Sequence, residues 1–423
     1  MLNSVLDADY QSSDWDSVLL SNKHDIPRFL QTQLNLTNSI ILQGPPGTGK
    51  TYQISQLVAN LCSEGKSVLV TALTNRALIE IAKKESMAEM LKAGKIYKTK
   101  ITTDERKELP LLQLEKMVTP KKGCAILSTF YITSGVAVES SSDCPFDYVI
   151  MDEGSQALLP MIGAVRMLGA KNLFVGDIKQ LPPVVQLKEL KIRERNYLGL
   201  VEGLRTITEK SICPTYQLTE SYRLTERATR YTGLFYEDTL NSCSETQTVD
   251  SFGAFFLCNN GGPTLLKTDM EIGDLRDEAL LNLSLSVVGH IHQQDNKCEI
   301  AVLTCMKDTV RALQSVINSR IKSSKILIDT VARIQGLTTD ICVYVVPNTH
   351  YLRALEPRLF NVATSRARRQ TIIIADKEIL GYTRMNVDVR RYLEKLDQEF
   401  SFYLPYNKGK NNLLANNNIN FIE

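Results

Sequence analysis

The sequence of 423 residues predicts an α/β protein with two domains, each built on a parallel β-sheet. Short apolar runs alternate along the chain with stretches of helical length or period. Continuous apolar runs are typical of strands in a parallel sheet that is covered on both faces. The runs also fall into two groups along the chain, which fits two domains at about 100–200 residues per domain.

The first group of apolar runs predicts five strands. Residues 92–122 interrupt this group with a lysine-rich, weakly patterned stretch, which we expect to be an insertion. The resulting first domain covers residues 1–205. The predicted strands are SIILQ (39–43), SVLVT (67–71), CAILS (124–128), DYVIMD (147–152) and NLFVG (172–176).

The second group of runs predicts a second α/β domain over residues 206–405. A charged connector, KELKIRERN (188–196), precedes the expected junction near 200–215. The tail from 406 to 423 is rich in asparagine, so we expect it to be disordered. The predicted strands are CEIAVLT (298–304), KILIDT (325–330), DICVYVV (340–346) and QTIIIA (370–375).

The composition narrows the class of protein. Hydrophobic residues make up 43% of the chain, charged residues 23%, and the net charge is +2. No apolar run of about 18 residues predicts a membrane helix, and the N-terminus does not resemble a secretory signal. Nine cysteines at irregular spacing favour reduced thiols, hence a cytoplasmic protein. A nearly neutral chain that binds nucleic acid must do so through a local groove.

One glycine-rich loop carries the first chemical signal. The pattern G-x-x-x-x-G-K-[ST] follows a predicted strand and opens a helix, which is the context of a phosphate-binding loop. Backbone N–H groups and the helix N-terminus would bind phosphate oxygens, the lysine would reach the β- and γ-phosphates, and the threonine hydroxyl would bind Mg²⁺. Kinases, GTPases, transporters and motors all use such a loop. Its residues are Gly44, Pro45, Pro46, Gly47, Thr48, Gly49, Lys50 and Thr51.

A pair of carboxylates at the end of a predicted strand favours a hydrolase. In DYVIMDEGSQA, Asp152 and Glu153 follow an apolar run. An aspartate beside the phosphate loop can hold Mg²⁺, and the following glutamate can orient and deprotonate the attacking water. The alternative is a solvated pair where the strand leaves the sheet. A metabolite kinase has less need of that glutamate.

Six ordered motifs between about residues 38 and 376 resemble superfamily 1 helicases. The similarity is closest to the up-frameshift type, subgroup 1B, typified by the nonsense-mediated-decay helicase. The phosphate loop is the first motif. The others are DEGSQA (152–157), VGDIKQLPPVV (175–185), SYRLTERATRYTGLFYEDTL (221–240), TVARIQGLTTD (330–340) and RLFNVATSRARRQTIII (358–374).

The resemblance implies two RecA-like domains that bind ATP and Mg²⁺ between them. Asp177 and Gln180 would sense the γ-phosphate, and Arg223 and Arg366 would act as arginine fingers. Arginine suits that role because its forked guanidinium is always charged. Further candidate contacts to the nucleotide are Tyr222, which is otherwise a core tyrosine, and Gln335.

The resemblance also implies a single-stranded nucleic-acid track across both domains. Hydroxyl and amide side chains would contact its backbone without reading sequence. Lysines at 92, 95, 98 and 100 either line this path or form a solvated face. The candidate backbone contacts are Thr71, Asn75, Thr129, Thr330 and Gln335.

Two departures from the family pattern affect nucleotide selectivity. Thr338 stands where the family has glutamate in its fifth motif. No residue upstream of the loop matches the family's adenine-reading glutamine convincingly. The nearest candidates are Asn22, His24, Gln31 and Gln33.

The sequence therefore predicts a nucleic-acid-dependent ATPase, a DNA or RNA helicase or translocase. The resemblance to the up-frameshift type implies that it moves 5′ to 3′. The chain is short for this family. A second hypothesis is an ATP-driven motor or switch subunit of a larger nucleoprotein complex, with little unwinding of its own. A protein partner would then supply a nuclease or targeting function. A small-molecule kinase is disfavoured because the five later motifs would have no role in it.

Overall fold

The computed structural model describes residues 17–21, 25–139, 145–186, 191, 195–245, 254–271, 274, 276–334 and 336–406. The chain forms two compact units that divide between Thr219 and Glu220. This division lies later than the predicted boundary at 205, because the strand Thr215–Leu218 pairs within the first sheet. The predicted tail beyond Tyr406 lies outside the described residues.

The first unit is built on a sheet of nine strands within the described residues, and all of its pairs are parallel. The order is β1-β9-β2-β8-β7-β3-β6-β4-β5. Each of the five predicted strands is present within three residues of its predicted bounds. The strands are β1 Val18–Leu20, β2 Ser39–Gln43, β3 Val68–Ala72, β4 Ile96–Lys98, β5 Gln113–Leu114, β6 Ala125–Thr129, β7 Phe146–Met151, β8 Gly169–Gly176 and β9 Thr215–Leu218.

Helices cover this sheet and bury its apolar strands. Two apolar clusters result, one of them centred on Ile40, Leu57 and Val70 and the other on Ile41, Ile126 and Phe174. Short 3₁₀ turns cover Glu85–Met87 and Gly154–Gln156. The helices are α1 Ile26–Thr37, α2 Lys50–Ser63, α3 Asn75–Ala82, α4 Ala88–Lys92, α5 Thr103–Glu108, α6 Phe130–Glu139, α7 Leu159–Arg166, α8 Leu198–Val201 and α9 Gly203–Glu209.

The lysine-rich stretch 92–122 belongs to this sheet and is not a separate insertion. Its β4 pairs with β6, and β5 pairs with β4, so the two strands extend the sheet at one edge. The helix α5 lies between them in sequence. The short strands and high lysine content concealed the strand pattern.

The second unit contains a six-stranded parallel sheet among the described residues, with the order β14-β13-β15-β16-β12-β17. All four predicted strands of the second group are present. A short pair, β10 with β11, lies apart from this sheet. The strands are β10 Glu220–Ser221, β11 Asn241–Ser242, β12 Gly262–Thr268, β13 Ile300–Thr304, β14 Ile326–Thr330, β15 Thr339–Val346, β16 Ala367–Asp376 and β17 Ser401–Tyr403.

Helices of the second unit bury a core around Leu283, Val302 and Ile374. Four 3₁₀ turns among the described residues cover Gly233–Phe235, Val331–Ile334, Asn348–His350 and Ile379–Gly381. The helices are α10 Glu226–Thr232, α11 Glu278–Gln294, α12 Lys307–Arg320, α13 Tyr351–Ala354, α14 Pro357–Thr364 and α15 Val387–Glu399.

The two parallel α/β units confirm the predicted fold class. Within the described part of the chain, every helix is too short or too polar to cross a membrane.

Candidate functional site

The phosphate loop connects β2 to α2, as predicted. β2 ends at Gln43 and α2 begins at Lys50. Gly47 and Gly49 have φ angles of 76° and 77°, a left-handed conformation that favours glycine. Gly49 caps the helix without a side chain. The turn therefore leaves the first N–H groups of α2 for an anion, which is the chemistry that a phosphate group requires.

Lys50 folds back over the loop that precedes it. Its Nζ donates to the carbonyl oxygen of Gly44 and, at 3.4 Å, to that of Pro45. A Cβ atom on Gly44 would lie 2.2 Å from Lys50 Cγ, so only glycine leaves room for this side chain. Thr48 Oγ1 donates to Pro45 O at 2.9 Å and holds the loop closed. The loop thus places one ammonium group beside the N-terminus of α2.

Asp152 and Glu153 follow β7 at the carboxyl end of the sheet. Asp152 is only 5% exposed, and its Oδ1 accepts a hydrogen bond from Glu153 N at 2.8 Å. Burial raises the pKa of Asp152, against the opposing effects of that hydrogen bond and of the Lys50 ammonium. Glu153 has a φ of 54°, which turns the chain sharply out of the strand. The backbone therefore holds the Asp152 carboxylate within electrostatic reach of the Lys50 ammonium.

Asp152→Asn is expected to stabilise the protein at neutral pH. The folded-state pKa lies above the ordinary value of an aspartate, so ionisation of this carboxyl lowers the free energy of unfolding as pH rises through the raised pKa. The variant should melt a few degrees higher at pH 8, as is common when a strained site is relieved. The difference should shrink as pH falls toward 4. Thermal unfolding at pH 5 and pH 8 checks this, and a less stable variant at pH 8 would contradict it.

The residues of the GDIKQ motif follow β8, the neighbour of β2. Gln180 Nε2 donates to Asp177 Oδ2 at 2.8 Å, and Asp177 is buried. Gln43 Oε1 accepts a hydrogen bond from Ile178 N at 3.4 Å. This contact connects the end of β2, where the phosphate loop starts, to the GDIKQ segment.

Two further hydrogen bonds connect these segments. Gly44 N donates to Gly176 O at 2.9 Å, and Gln156 Nε2 donates to Leu181 O at 2.6 Å. The phosphate loop, the Asp152–Gln156 segment and the GDIKQ segment therefore form one hydrogen-bonded group on the adjacent strands β2, β8 and β7.

Gly176→Ala is expected to disrupt this group. A Cβ atom there would lie 2.5 Å from Leu204 Cδ2 and 2.8 Å from Ser155 N, a backbone atom that cannot move freely. Overpacking of this kind costs about 1–3 kcal/mol of stability. Gly163→Ala, with open space around its Cβ, is the matched control and should stabilise α7 by up to about 1 kcal/mol. Chemical denaturation of both variants compares the two effects, and equal stabilities would contradict the account.

The structure brings Arg223 and Arg366 together in the second unit. Arg223 NH1 donates a hydrogen bond to Ser365 O at 3.3 Å, and Arg366 NH1 donates one to Leu337 O at 3.2 Å. Burial and the neighbouring guanidinium groups of Arg366 and Arg368 lower the pKa of Arg223 to about 9. Arg223 therefore remains charged at neutral pH. The mutual repulsion of Arg223 and Arg366 favours an anion beside them.

Tyr222, next to Arg223, is 50% exposed, which disfavours the alternative of a core tyrosine. Gln335 lies outside the described residues. Thr338 precedes β15 and is half-buried. The Tyr222 side chain is therefore partly accessible to solvent.

The candidates for adenine recognition are engaged elsewhere or lie outside the structure. Gln31 Nε2 donates to Glu64 Oε2 at 2.8 Å, and Gln33 Oε1 accepts from the Tyr216 hydroxyl at 2.9 Å. Both bonds attach α1 to its own unit. The two remaining candidates lie outside the described residues: Asn22 and His24.

The predicted nucleic-acid contacts of the first unit lie at the carboxyl ends of β3 and β6, beyond β7 in the sheet. Thr71 is within β3, Asn75 begins α3, and Thr129 ends β6. Asn75 is exposed and Thr129 is half-buried. Thr71 is fully buried, and its hydroxyl lies 3.1 Å from that of Thr133. Asn75 and Thr129 are therefore accessible to a strand in this structure, whereas the Thr71 side chain is not.

The remaining candidates differ in exposure. Thr330 ends β14 and is buried, and its N–H donates to Asp329 Oδ1 at 2.7 Å. Lys98, one of four lysines proposed for a path or a solvated face, is 1% exposed and fits neither description. Sequence reasoning missed its position. The sequence did contain a signal for this position. Lys98 is two residues after the apolar Ile96, so both side chains lie on the same, buried face of β4.

The donor groups fit Mg²⁺ bound with a nucleotide. Thr51 in the first turn of α2 and Asp152 after β7 offer oxygen ligands, which Mg²⁺ prefers. Among the described residues there is no cluster of three or more metal-binding side chains. Mg²⁺ usually takes one or two protein ligands together with substrate phosphates, and this arrangement matches that pattern.

Comparisons with known proteins identify the family. Two family models, both described as an AAA domain, match residues 30–186 and 203–378. The chain is 24% identical over 416 residues to the DNA replication ATP-dependent helicase/nuclease DNA2 of Saccharomyces cerevisiae and 26% identical over 395 residues to that of Gallus gallus. Each alignment covers 88% of this chain, but only 26% and 38% of the relatives, so the chain spans well under half of their length.

Among solved structures, the chain is similar to the PRRSV helicase, with 16% sequence identity and a TM-score of 0.45 over 82% of this chain and 54% of that one. The two matched domains, the ordered motifs and the DNA2 relatives agree with one another. On that basis the two matched segments are AAA domains, and together with the relatives they support a superfamily 1 helicase.

Proposed function

We propose that this chain is a nucleic-acid-dependent ATPase that acts as a helicase or single-strand translocase. One observation carries the proposal. The phosphate loop, the GDIKQ segment and the two carboxylates lie at the ends of the adjacent strands β2, β8 and β7. The exposed Asn75 follows the next strand, β3, and the half-buried Thr129 ends the one after it, β6. The carboxyl end of the sheet thus holds groups suited to bind a triphosphate beside groups suited to bind a nucleic-acid backbone.

The backbone connects these two halves of the edge. Asp152 N donates to Thr71 O at 2.8 Å, so the end of β7 is bonded to the end of β3. Thr71 precedes the segment that contains Asn75. A shift of Asp152 and Glu153 on hydrolysis therefore has a short path to the residues that would hold the strand.

Each residue expected to contact the nucleotide has a distinct chemical role in this proposal. Lys50 and the N–H groups of α2 bind the β- and γ-phosphates. Glu153 orients and deprotonates the attacking water, and Gln180 senses the γ-phosphate through Asp177. Magnesium, held by Thr51 and Asp152, would neutralise phosphate charge when bound.

Arg223 and Arg366 would stabilise the charge that develops on the γ-phosphate. Their clustered positive charge supports this role. We further propose that the exposed ring of Tyr222 packs against the nucleotide base and that the chain belongs to subgroup 1B, moving 5′ to 3′. The motif resemblance supports that polarity.

The two relatives are DNA replication helicase/nucleases, which supports DNA as the nucleic acid along which this chain moves. A second candidate function is an ATP-driven motor within a larger complex that depends on a partner for nuclease or targeting activity.

Strand displacement on duplexes with a 5′ or a 3′ single-stranded tail tests the proposal. We expect ATP-dependent displacement from 5′-tailed DNA, with Lys50→Ala as the inactive control. Displacement from 3′ tails alone would contradict the polarity. Strand-stimulated ATP turnover without displacement would favour the motor-subunit alternative.

A further inference from the structure

A buried lysine lies next to the predicted nucleic-acid contact Asn75. The ammonium of Lys98, at the carboxyl end of β4, contacts Asn75 Oδ1 at 2.8 Å, the carboxylate of Glu105 at 3.1 Å and the carbonyl oxygen of Lys100. A lysine has three N–H donors and no acceptor. All three of its donors are therefore used within this unit.

This contact sets the orientation of the Asn75 amide. An ammonium group can only donate, so the oxygen of the amide must face Lys98 and the amino group must face away. Asn75 is exposed, and among the described residues its Nδ2 makes no hydrogen bond. Two N–H donors of Asn75 are thus presented to solvent in a fixed direction.

The segment around Glu105 anchors Lys98 from the other side. Thr102 and Glu105 form a reciprocal capping box at the start of α5, with Thr102 N donating to Glu105 Oε2 at 2.8 Å. At the other end of α5, Glu108 pairs with Arg76 and Lys83 of the α3 region. The helix α5 is therefore attached at both ends to the region that begins with Asn75.

The position of Lys98 in the sheet also places it near the predicted nucleic-acid contacts. β4 pairs with β6, which ends at Thr129, and Thr99 Oγ1 donates to Ser128 Oγ at 3.2 Å. β3, which precedes Asn75, pairs with β6 on its other side. Lys98 and Thr129 therefore end the neighbouring strands β4 and β6, and Asn75 follows the next strand, β3, at the same carboxyl end of the sheet.

We propose that Lys98 is a positioning residue that orients the Asn75 amide so that its two N–H groups donate to a backbone phosphate of the bound strand. The proposal rests on the proposed function, because it needs a nucleic acid as ligand. Phosphate oxygens accept hydrogen bonds from amide donors and cannot donate, so an inverted amide would repel them. A buried ion pair costs desolvation energy, and orientation of a binding group explains why one is kept here.

A double-mutant cycle tests this inference through affinity for single-stranded DNA, measured by fluorescence anisotropy. The variants are Asn75→Ala, the paired change Lys98→Met/Glu105→Gln, and their combination. The paired change removes both charges, so no buried charge is left alone. Lys121→Met is the matched control, because Lys121 lies in the same lysine-rich stretch and pairs with Glu115 near the surface.

We expect Asn75→Ala to weaken binding about 5-fold, the loss of one ordinary hydrogen bond. The paired change should weaken binding by a similar factor or less, and the combination should be no weaker than Asn75→Ala alone. Lys121→Met should change affinity less than 2-fold, roughly the size of a surface charge effect. Multiplicative losses in the combination would overturn the inference, since a purely structural role of Lys98 acts independently of Asn75.

A second variant keeps the inference testable if the paired change does not fold. Asn75→Asp keeps an oxygen facing Lys98 but replaces both N–H donors with a negative oxygen. We expect it to bind the strand more weakly than Asn75→Ala, and affinity equal to wild type would overturn the inference. Failure of the wild type to bind any strand would instead overturn the proposed function itself.

Discussion

Arg366→Ala is expected to lower ATP turnover about 10³-fold or more while leaving ATP binding largely intact. An arginine that stabilises the transferring phosphoryl group contributes about 10³–10⁵ in rate. The side chain is 3% exposed, and its Nε donates to Val362 O at 2.9 Å, so the guanidinium is held by the backbone before any ligand arrives. Steady-state turnover together with binding of a fluorescent ATP analogue measures the two effects separately.

Arg368→Ala is the matched control for this prediction. Arg368 lies two residues away, but its guanidinium pairs with Glu299 and Asp340. Its loss should change turnover less than about 3-fold, as for a surface ion pair. Arg366→Lys keeps the charge without the fork and should remain strongly impaired. Turnover by Arg366→Ala within a few-fold of wild type would show that this arginine has another role.

Glu153→Gln is expected to lower turnover about 10²–10⁴-fold, the usual contribution of a general base. The amide keeps the size of the side chain but cannot accept the proton of the attacking water. Because the phosphate loop is unchanged, ATP affinity should stay near that of the wild type. Single-turnover hydrolysis with saturating single-stranded DNA provides the measurement.

The control for this variant is Glu209→Gln. Glu209 is exposed on α9 and pairs with Arg205, away from the loop, so turnover should not change. Full activity of Glu153→Gln would remove Glu153 from the proposed mechanism. Loss of ATP binding in that variant would indicate a structural defect and not the loss of a base.

The parts of the fold that the sequence predicted are those set by local pattern. The strands 39–43 and 340–346 are continuous apolar runs, and their burial on both faces requires such runs. The phosphate loop is equally local, because the positive φ angles of Gly47 and Gly49 and the following helix are encoded within eight residues. The proximity of Arg223 to Arg366 followed from the motif order and the family resemblance.

Other features depend on pairing between distant segments, which a local pattern does not report. β4 and β5 have three and two residues, so their place at the sheet edge depends on β6. The burial of Lys98 depends on Glu105 and Asn75, and that of Thr71 on Thr133. The domain boundary moved for the same reason, because β9 pairs with β2.

The dependence of ATP hydrolysis on nucleic acid is tested by ATP turnover of the wild-type chain with and without single-stranded DNA. Lys50→Ala is the inactive control. We expect a saturating concentration of single-stranded DNA to raise ATP turnover at least several-fold. Lys50→Ala should remain inactive with and without DNA. Turnover that no DNA or RNA strand changes would contradict a nucleic-acid-dependent ATPase in this chain.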